Sequence, residues 1–305
     1  MSRTPERPGA VDVPSDDALR DFCFSDVVFG QRYRGWTVLG RGSFATVVRT
    51  FSVDTARDVA LKVFLNLRSE MVQRIREEVR AAQALATPYL VQIHSLFDRG
   101  PITWFEMELV EGSDLQQEID RLAAKGEGIP LPRAFEIALA VSRCLWQAHR
   151  HGVLHRDIKP ANILLPASGQ PAAKVTDFGI ARLADATGAT PPGSITGTPR
   201  FASPEALAGR PVGAAHDVFG LCTTLYALFS GGALPFPGDG DTSLATLRRL
   251  RAETRPTPLG TLVPRLDPTV TGLVMRGLSR YAFRRPGMKK IVLALERAQA
   301  QVSSE

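Results

Sequence analysis

His155-Arg156-Asp157-Ile158-Lys159-Pro160-Ala161-Asn162 is the stretch that decides how this chain of 305 residues is interpreted. An aspartate can orient or accept a hydroxyl proton, and a lysine two positions later can neutralise phosphate charge. An asparagine further along offers an amide oxygen to a hard cation such as Mg²⁺, which prefers oxygen ligands. The stretch therefore predicts a phosphate-handling site built on Asp157, Lys159 and Asn162.

A second acidic motif lies downstream of this stretch. Asp177-Phe178-Gly179 follows an apolar strand predicted at Ala173–Thr176. Its carboxylate supplies another oxygen ligand, and its glycine permits a sharp turn. The two motifs together predict Asn162 and Asp177 as the metal ligands.

A glycine-rich turn lies upstream, in Leu39-Gly40-Arg41-Gly42-Ser43-Phe44-Ala45-Thr46-Val47. Because glycine has no Cβ, backbone amides in such a turn can approach phosphate oxygens closely. The turn lies between two predicted strands and contains no Gly-Lys-Ser/Thr, which disfavours a dinucleotide-binding fingerprint and a Walker-type loop. An ordinary hairpin turn is the alternative interpretation.

Lys62 lies in the middle of the apolar strand predicted at Val59–Leu65. A lysine is costly to bury unless it is paired with an acid. The candidate acids are Glu77 and Glu78, on a helix predicted at Met71–Ala86. Glu78 is favoured because it lies beside Val79, near the apolar face of that helix. The alternative is an edge-strand lysine that points to solvent.

The secondary-structure pattern changes near Gly112–Ser113. Residues 1–28 are predicted to form an N-terminal extension that is interrupted by prolines. The chain up to about residue 110 is predicted to be mainly strands with one helix. The following part is predicted to be mainly helical, and its strongest helix is Leu131–His151.

Composition excludes several classes of protein. No apolar run reaches the roughly 18 residues of a membrane helix, and the start of the chain does not resemble a signal peptide. Three cysteines cannot form a disulfide framework or a four-thiolate zinc site, which favours a reducing, cytoplasmic location. The net charge of +6 is carried by arginines scattered among acids, so no nucleic-acid partner is expected.

In this order, the motifs resemble the eukaryotic-type protein kinase family, and its bacterial serine/threonine members most of all. The resemblance covers roughly residues 30–300. It implies an α+β, two-lobed kinase fold, with a small antiparallel β-sheet N-lobe carrying one helix (29–111) and a larger, mainly helical C-lobe (112–300). It also implies ATP and Mg²⁺ as cofactors, with Mn²⁺ as a substitute, and protein substrates with Ser or Thr acceptors.

The resemblance implies a role for each site residue. Asp157 would orient and deprotonate the acceptor hydroxyl, and Lys159 would stabilise the γ-phosphate during transfer. Lys62 would hold the α- and β-phosphates and pair with Glu78. The other residues implied to contact the nucleotide are Leu39, Gly40, Arg41, Gly42, Ser43, Phe44, Ala45, Thr46, Val47, Ala60, Met107, Glu108, Val110, Asp114 and Leu164.

Further segments match the family downstream. The segment 197–201 resembles the part that cradles the acceptor peptide, and Ser203-Pro204-Glu205 stands for the Ala-Pro-Glu motif. Arg285 is expected to pair with Glu205, and Asp217 matches the family's buried helix aspartate.

The sequence departs from the family pattern at two positions, and it contains one basic stretch whose role is open to two interpretations. Ala45 replaces the third glycine of the loop, which the motif should tolerate. His216 replaces the usual Ser or Thr before Asp217 and is expected to be a surface residue at a helix start. Arg248–Arg251 is expected to form a solvated helix face rather than a docking site for an acidic partner.

The sequence thus predicts an active Ser/Thr protein kinase with a role in signal transduction. One alternative is a nucleotide-binding pseudokinase scaffold, which the presence of Lys62, Asp157, Asn162 and Asp177 disfavours. The other is a small-molecule kinase of the aminoglycoside or choline type, which would lack a peptide-binding segment like 197–205.

Regulation is expected to involve the loop that follows Asp177. Because the chain stops at residue 305, the activating input is expected from a separate partner, the N-terminal extension or autophosphorylation. A phosphate on the loop could pair with Arg156 and order the loop. The candidate acceptors are Thr187, Thr190, Ser194 and Thr196, of which the last three are favoured.

Overall fold

The computed structural model describes residues 27–42, 45–178, 199–236 and 243–302. These residues form two compact units. The sheet unit contains residues 27–84 and 91–109. The helical unit contains residues 85–90, 110–178, 199–236 and 243–302.

The sheet unit is a five-stranded antiparallel sheet with one long helix. A short helix α1 (Val27–Arg32) precedes the first strand, and the strand order is β1-β2-β3-β5-β4. The helix α2 (Ser69–Gln83), predicted at Met71–Ala86, connects β3 to β4. The strands are β1 (Tyr33–Arg41), β2 (Thr46–Ser52), β3 (Arg57–Leu65), β4 (Ile93–Arg99) and β5 (Ile102–Glu108).

The core of the sheet unit follows from the two-residue repeat of β3. Successive side chains of a strand point to opposite faces, so Val59, Leu61, Val63 and Leu65 share one face. These four residues join Trp104 of β5 and other apolar side chains in one buried cluster. Ala60 and Lys62 therefore point to the opposite face of the sheet, which is the face that matters for the site.

A buried polar chain links the start of β1 to β5. The hydroxyl of Tyr33 donates to Glu106 Oε2 at 3.0 Å, and Trp104 Nε1 donates to the Tyr33 oxygen at 3.3 Å. Glu106 is only 4% exposed, so its carboxylate depends on hydrogen bonds from the protein. Burial raises the pKa of the Tyr33 hydroxyl well above its ordinary value, against the opposing effect of the Trp104 hydrogen bond.

We expect Tyr33→Phe to lower the free energy of unfolding by about 1–3 kcal/mol, because the buried Glu106 carboxylate loses a donor. The measurement is urea unfolding followed by tryptophan fluorescence, to which Trp36 and Trp104 of the sheet unit contribute. The matched control is Tyr281→Phe at an exposed position, where we expect a change of no more than about 0.5 kcal/mol. Equal effects of the two substitutions would contradict this prediction.

The helical unit contains the remaining helices of the described chain and a small sheet of three short strands, ordered β6-β7-β8. Its strands are β6 (Gly112–Asp114), β7 (Ile163–Pro166) and β8 (Lys174–Val175). Its helices are α3 (Leu115–Ala123), α4 (Leu131–Arg150), α5 (Pro204–Leu207), α6 (Ala214–Ser230), α7 (Leu244–Glu253), α8 (Leu259–Leu262), α9 (Pro268–Gly277) and α10 (Met288–Val302).

The helix α6 forms the centre of this unit. Its side chains are buried all round from His216 to Phe229, which is typical of a helix enclosed by others. It ends at Ser230, and the next residue, Gly231, caps it in the left-handed conformation common at helix C-termini. The helices α4 and α9 pack against it, and α10 packs along α4.

The α+β class, with an antiparallel sheet before a mainly helical part, is confirmed. The long helix predicted at Leu131–His151 is α4, and its early proline lies in the first turn. The helix α3 was not predicted. Across the described ranges, no helix is both long enough and apolar enough to cross a membrane.

Candidate active site

The segment 155–162 folds so that its three predicted site residues meet. Lys159 Nζ lies 2.7 Å from Asp157 Oδ2. A short 3₁₀ turn, Pro160–Asn162, returns the chain, so that Asn162 Nδ2 donates to Asp157 O at 2.7 Å and to Asp157 Oδ2 at 3.1 Å. The carboxylate of Asp157 is thereby held by a cation and an amide on the same oxygen.

A buried carboxylate holds the backbone just before Asp157. Asp217, near the start of α6, is fully buried and accepts from the amides of His155 at 2.8 Å and Arg156 at 2.7 Å. Its Oδ2 also lies 2.8 Å from His149 Nε2 of α4. Arg156 has a φ of +69°, a left-handed conformation that a non-glycine residue keeps only where its surroundings enforce it.

The electrostatics of Asp217 agree with this supporting role. Burial alone would raise its pKa. The hydrogen bond from His149, the electrostatic interactions with His155 and His149 and the hydrogen bond from the Arg156 amide outweigh burial and hold the pKa of Asp217 below its ordinary value. The carboxylate is therefore ionised at neutral pH, as its role as a hydrogen-bond acceptor requires.

A close backbone approach at Gly220 fixes the distance between α6 and the segment 155–162. Gly220 of α6 lies directly against Ile158, and a Cβ on Gly220 would come within 2.4 Å of the Ile158 side chain. Any larger residue at position 220 would push the segment that carries Asp157 and Lys159 away from α6.

Asp177 is positioned through the backbone that precedes it. The amide of Thr176 donates to Asn162 O at 3.0 Å, and His155 Nε2 lies 2.9 Å from Thr176 O. The ring of Phe178 packs against His155 with 4.6 Å between centroids. The chain segments of the two predicted metal ligands, Asn162 and Asp177, therefore run side by side.

The sheet unit brings several predicted nucleotide contacts to one face. In the β2–β3–β5 registers, Val47 lies opposite Lys62, and Ala60 lies opposite Met107. Directly opposed residues of antiparallel strands share a face, so these four side chains line the same side of the sheet. Gly40 lies opposite Val47 on the same side.

The structure describes only part of the glycine-rich turn. The amide of Gly42 donates to Ala45 O at 2.9 Å, which closes the turn, while Ser43 and Phe44 lie outside the described residues. Leu39 is exposed and Ala45 is buried. On α2, Glu78 is half-buried and Glu77 is exposed, which fits the preference for Glu78.

Asp114 has a structural role that the sequence analysis missed. Its carboxylate accepts from the Gln117 amide at 2.9 Å and caps α3, and the Gln117 side chain accepts from the Asp114 amide. The signal was available, since an aspartate followed three residues later by glutamine is a helix-start pattern. Asp114 lies opposite Leu164 in the β6–β7 pair, so two predicted nucleotide contacts are neighbours. Glu108 and Val110 are half-buried.

The predicted pair between Arg285 and Glu205 is confirmed. The guanidinium binds both carboxylate oxygens, at 2.6 and 2.7 Å, and also donates to Ala215 O and Ser279 O. Gly179, Gly197, Thr198 and the four candidate phosphorylation sites lie outside the described residues.

The expectation for His216 was wrong, and the expectation for Arg248–Arg251 was wrong at Arg251, whereas Arg248 and Arg249 are exposed as expected. His216 is 7% exposed rather than on the surface, because its ring is enclosed between Ser203 and the backbone of Arg156. Arg251 is 2% exposed rather than solvated, because its guanidinium stacks on Phe236 at 4.0 Å and donates to Arg200 O. The burial of His216 could have been inferred from the sequence, because this histidine adjoins Asp217 at the N-terminus of a strongly apolar helix.

The comparison with known proteins agrees with this geometry. A family model described as a protein kinase domain matches residues 33–294. This chain belongs to the protein kinase family. Membership of this family implies the general use of a nucleoside triphosphate, namely ATP, together with a divalent cation.

Bacterial relatives support the assignment. The serine/threonine-protein kinase PknB of Mycobacterium leprae is 36% identical over 225 residues, which cover 70% of this chain and 35% of that protein. The serine/threonine-protein kinase PknA of Mycobacterium tuberculosis is 32% identical over 256 residues, which cover 81% of this chain and 56% of that protein. This chain thus spans between about a third and just over half of these two relatives.

A solved structure shows the same fold. The crystal structure of the Mycobacterium tuberculosis PknI kinase domain matches with a TM-score of 0.65 and 25% identity. The match covers 88% of this chain and 96% of that domain. The predicted two-lobed kinase fold is confirmed by this match.

Proposed function

We propose that this chain is a serine/threonine protein kinase that transfers the γ-phosphate of Mg-ATP to Ser or Thr hydroxyls of proteins. The observation that carries the proposal is the Asp157–Lys159–Asn162 cluster, which positions a carboxylate, an ammonium and an amide within hydrogen-bond distance. The proposed kinase domain covers residues 29–300, with an N-lobe at 29–111 and a C-lobe at 112–300, after an N-terminal extension at 1–28.

Asp157 carries out the proton step of the proposed reaction. Lys159 and Asn162 both contact its Oδ2, and within the described ranges no side chain donates to its Oδ1. This oxygen can accept the proton of the acceptor hydroxyl while that hydroxyl attacks the γ-phosphorus and ADP leaves. The ammonium of Lys159 neutralises the charge of the phosphoryl group during its transfer.

Asn162 and Asp177 are the proposed ligands of the cation. Their amide and carboxylate oxygens are the donors that Mg²⁺ prefers, and Mg²⁺ needs only one or two carboxylates because phosphates and water complete its shell. The described ranges contain no cluster of three or more His, Cys, Asp or Glu side chains that could hold a metal ion. The bound cation supplies positive charge at the phosphates, and Mn²⁺ is a proposed substitute.

The remaining proposed contacts surround the nucleotide. Lys62 binds the α- and β-phosphates and pairs with Glu78, and Val47, Ala60 and Leu164 contact the adenine. The shared face of Val47, Ala60, Lys62 and Met107 supports this part of the proposal.

The experiment is phosphate transfer from γ-labelled ATP, with and without a generic basic protein acceptor, followed by phosphoamino-acid analysis. We expect label on serine or threonine, loss of transfer when EDTA removes the metal, and recovery with added Mg²⁺. Absence of transfer to the chain or the acceptor, despite measurable Mg-ATP binding, would contradict the proposal.

We also propose that the loop after Asp177 is autophosphorylated, with Thr190, Ser194 and Thr196 favoured over Thr187. Arg156 is half-buried beside Asp157 and supplies a cation that a phosphate can bind. Mass-spectrometric mapping of the active protein should find at least one of these residues modified, and an unmodified loop would contradict this.

A further inference from the structure

His216 joins two segments of the site that are distant in sequence. It lies in the first turn of α6, with Nδ1 at 2.8 Å from Ser203 Oγ and Nε2 at 2.9 Å from Arg156 O. Ser203 is fully buried and begins the Ser-Pro-Glu segment. Arg156 immediately precedes Asp157. One imidazole ring therefore connects the segment that begins at Ser203, called here the acceptor-side segment, to the segment 155–162 that carries Asp157.

The partners of His216 assign its tautomer. A backbone carbonyl only accepts hydrogen bonds, so Nε2 must carry the proton that is shared with Arg156 O. In the neutral ring, Nδ1 then accepts from the hydroxyl of Ser203. The Ser203 oxygen also accepts from the Ala206 amide at 3.4 Å, as the N-cap of α5. The hydrogen bonds thus run in one direction, from Ala206 through Ser203 and His216 to Arg156.

The bond to Arg156 O bears on Asp157 directly. Because a peptide group is planar, the direction of the Arg156 carbonyl fixes the plane that ends at the Asp157 amide. Asp217 holds the amide of Arg156, and His216 holds its carbonyl, so both sides of this left-handed residue are restrained. A serine or threonine at position 216 is too short to reach both Ser203 and Arg156.

We propose that His216 is a positioning residue for phosphoryl transfer. Its Nε2–H fixes the backbone that carries Asp157, and its Nδ1 fixes Ser203 and the acceptor-side segment. The inference rests on the proposed kinase function, but the hydrogen-bonded bridge itself can be tested without activity.

The kinetic test separates the two bonds of the ring. His216→Asn places an amide near the position of Nδ1 and loses the bond to Arg156, so we expect kcat to fall about tenfold with the KM for the acceptor protein within about twofold. His216→Gln places an amide near the position of Nε2, so we expect kcat within about threefold and an acceptor KM raised about fivefold. Ser203→Ala should reproduce the KM effect, and His216→Ala should combine both effects. Unchanged kinetics for His216→Ala, or equal losses in kcat for His216→Asn and His216→Gln, would overturn the proposal.

The spectroscopic test uses long-range ¹H–¹⁵N correlations of the histidine rings in the full chain. We expect His216 to carry its proton on Nε2 at neutral pH, and Ser203→Ala to shift the Nδ1 resonance. A proton on Nδ1, or an Nδ1 resonance that Ser203→Ala leaves unchanged, would contradict the hydrogen-bonded bridge from Ser203 through His216 to Arg156. If the bridge is present but wild-type protein transfers no phosphate, the proposed kinase function fails and His216 has no positioning role in transfer.

Discussion

Asp157→Ala should lower kcat for phosphate transfer by at least about 100-fold, because removing a positioned general base typically costs 10²–10⁴ in rate. The structure gives the carboxylate two fixed partners, Lys159 and Asn162, so its geometry is prepared before an acceptor arrives. The measurement is steady-state transfer to a protein acceptor at saturating Mg-ATP.

Two further variants make this result specific to the carboxylate. Asp157→Asn keeps the size and polarity of the side chain but is not a base, so we expect a loss of similar size. Asp120→Ala removes an exposed carboxylate of α3 that, among the described residues, accepts a hydrogen bond only from the Gln116 side chain on the same helix, and we expect activity within about twofold. Activity of Asp157→Ala within tenfold of wild type would show that another group takes the proton.

Arg285→Met should lower the free energy of unfolding by about 3 kcal/mol, because breaking a buried ion pair leaves the partner charge unpaired. The Arg285 side chain is inaccessible to solvent, binds Glu205 with its two terminal nitrogens, Nη1 and Nη2, and lies 5.1 Å from the Phe219 ring. Its loss also removes a donor from two backbone carbonyls, Ala215 O and Ser279 O. The expected loss lies at the lower end of the usual range because 15% of the Glu205 side chain remains exposed. The measurement is denaturant unfolding of the full chain.

The neighbouring arginine supplies the matched control. Arg284 is exposed and stacks near Tyr281 and Phe283, so Arg284→Met should cost no more than about 1 kcal/mol. Adding Glu205→Gln to Arg285→Met should recover part of the loss, since the unpaired charge is then removed. Equal destabilisation by the two arginine substitutions would contradict the prediction.

The same pair predicts how stability depends on pH. Burial alone would raise the pKa of Glu205, but the hydrogen bond from Arg285, its own backbone amide and the Arg285 charge hold it below the ordinary value of 4.5. A carboxyl whose folded-state pKa is lowered stabilises the fold above the unfolded value and loses that contribution as pH falls through the folded value. Below about pH 4.5, wild type should therefore lose more stability than Arg285→Met.

The sequence by itself determined most of the local structure and the order of the site motifs. The helix α4 was predicted from the segment Leu131–His151, in which Pro132 is well placed near a helix start. The face of β3 that carries Ala60 and Lys62 follows from the two-residue repeat of strands. The pair between Arg285 and Glu205 was predicted from the resemblance, since both positions belong to matching segments. Such information is local or fixed in spacing, so it can be read along the chain.

Only the tertiary structure decided the environment of single polar residues. His216 and Arg251 were expected at the surface, yet each is enclosed by a segment from elsewhere in the chain: Ser203 and Arg156 around one, Arg200 and Phe236 around the other. The φ of +69° at Arg156 likewise depends on a carboxylate 61 residues away. Burial of a polar group is set by which distant hydrogen-bond partners reach it when the helices pack, and periodicity along the sequence does not carry that information.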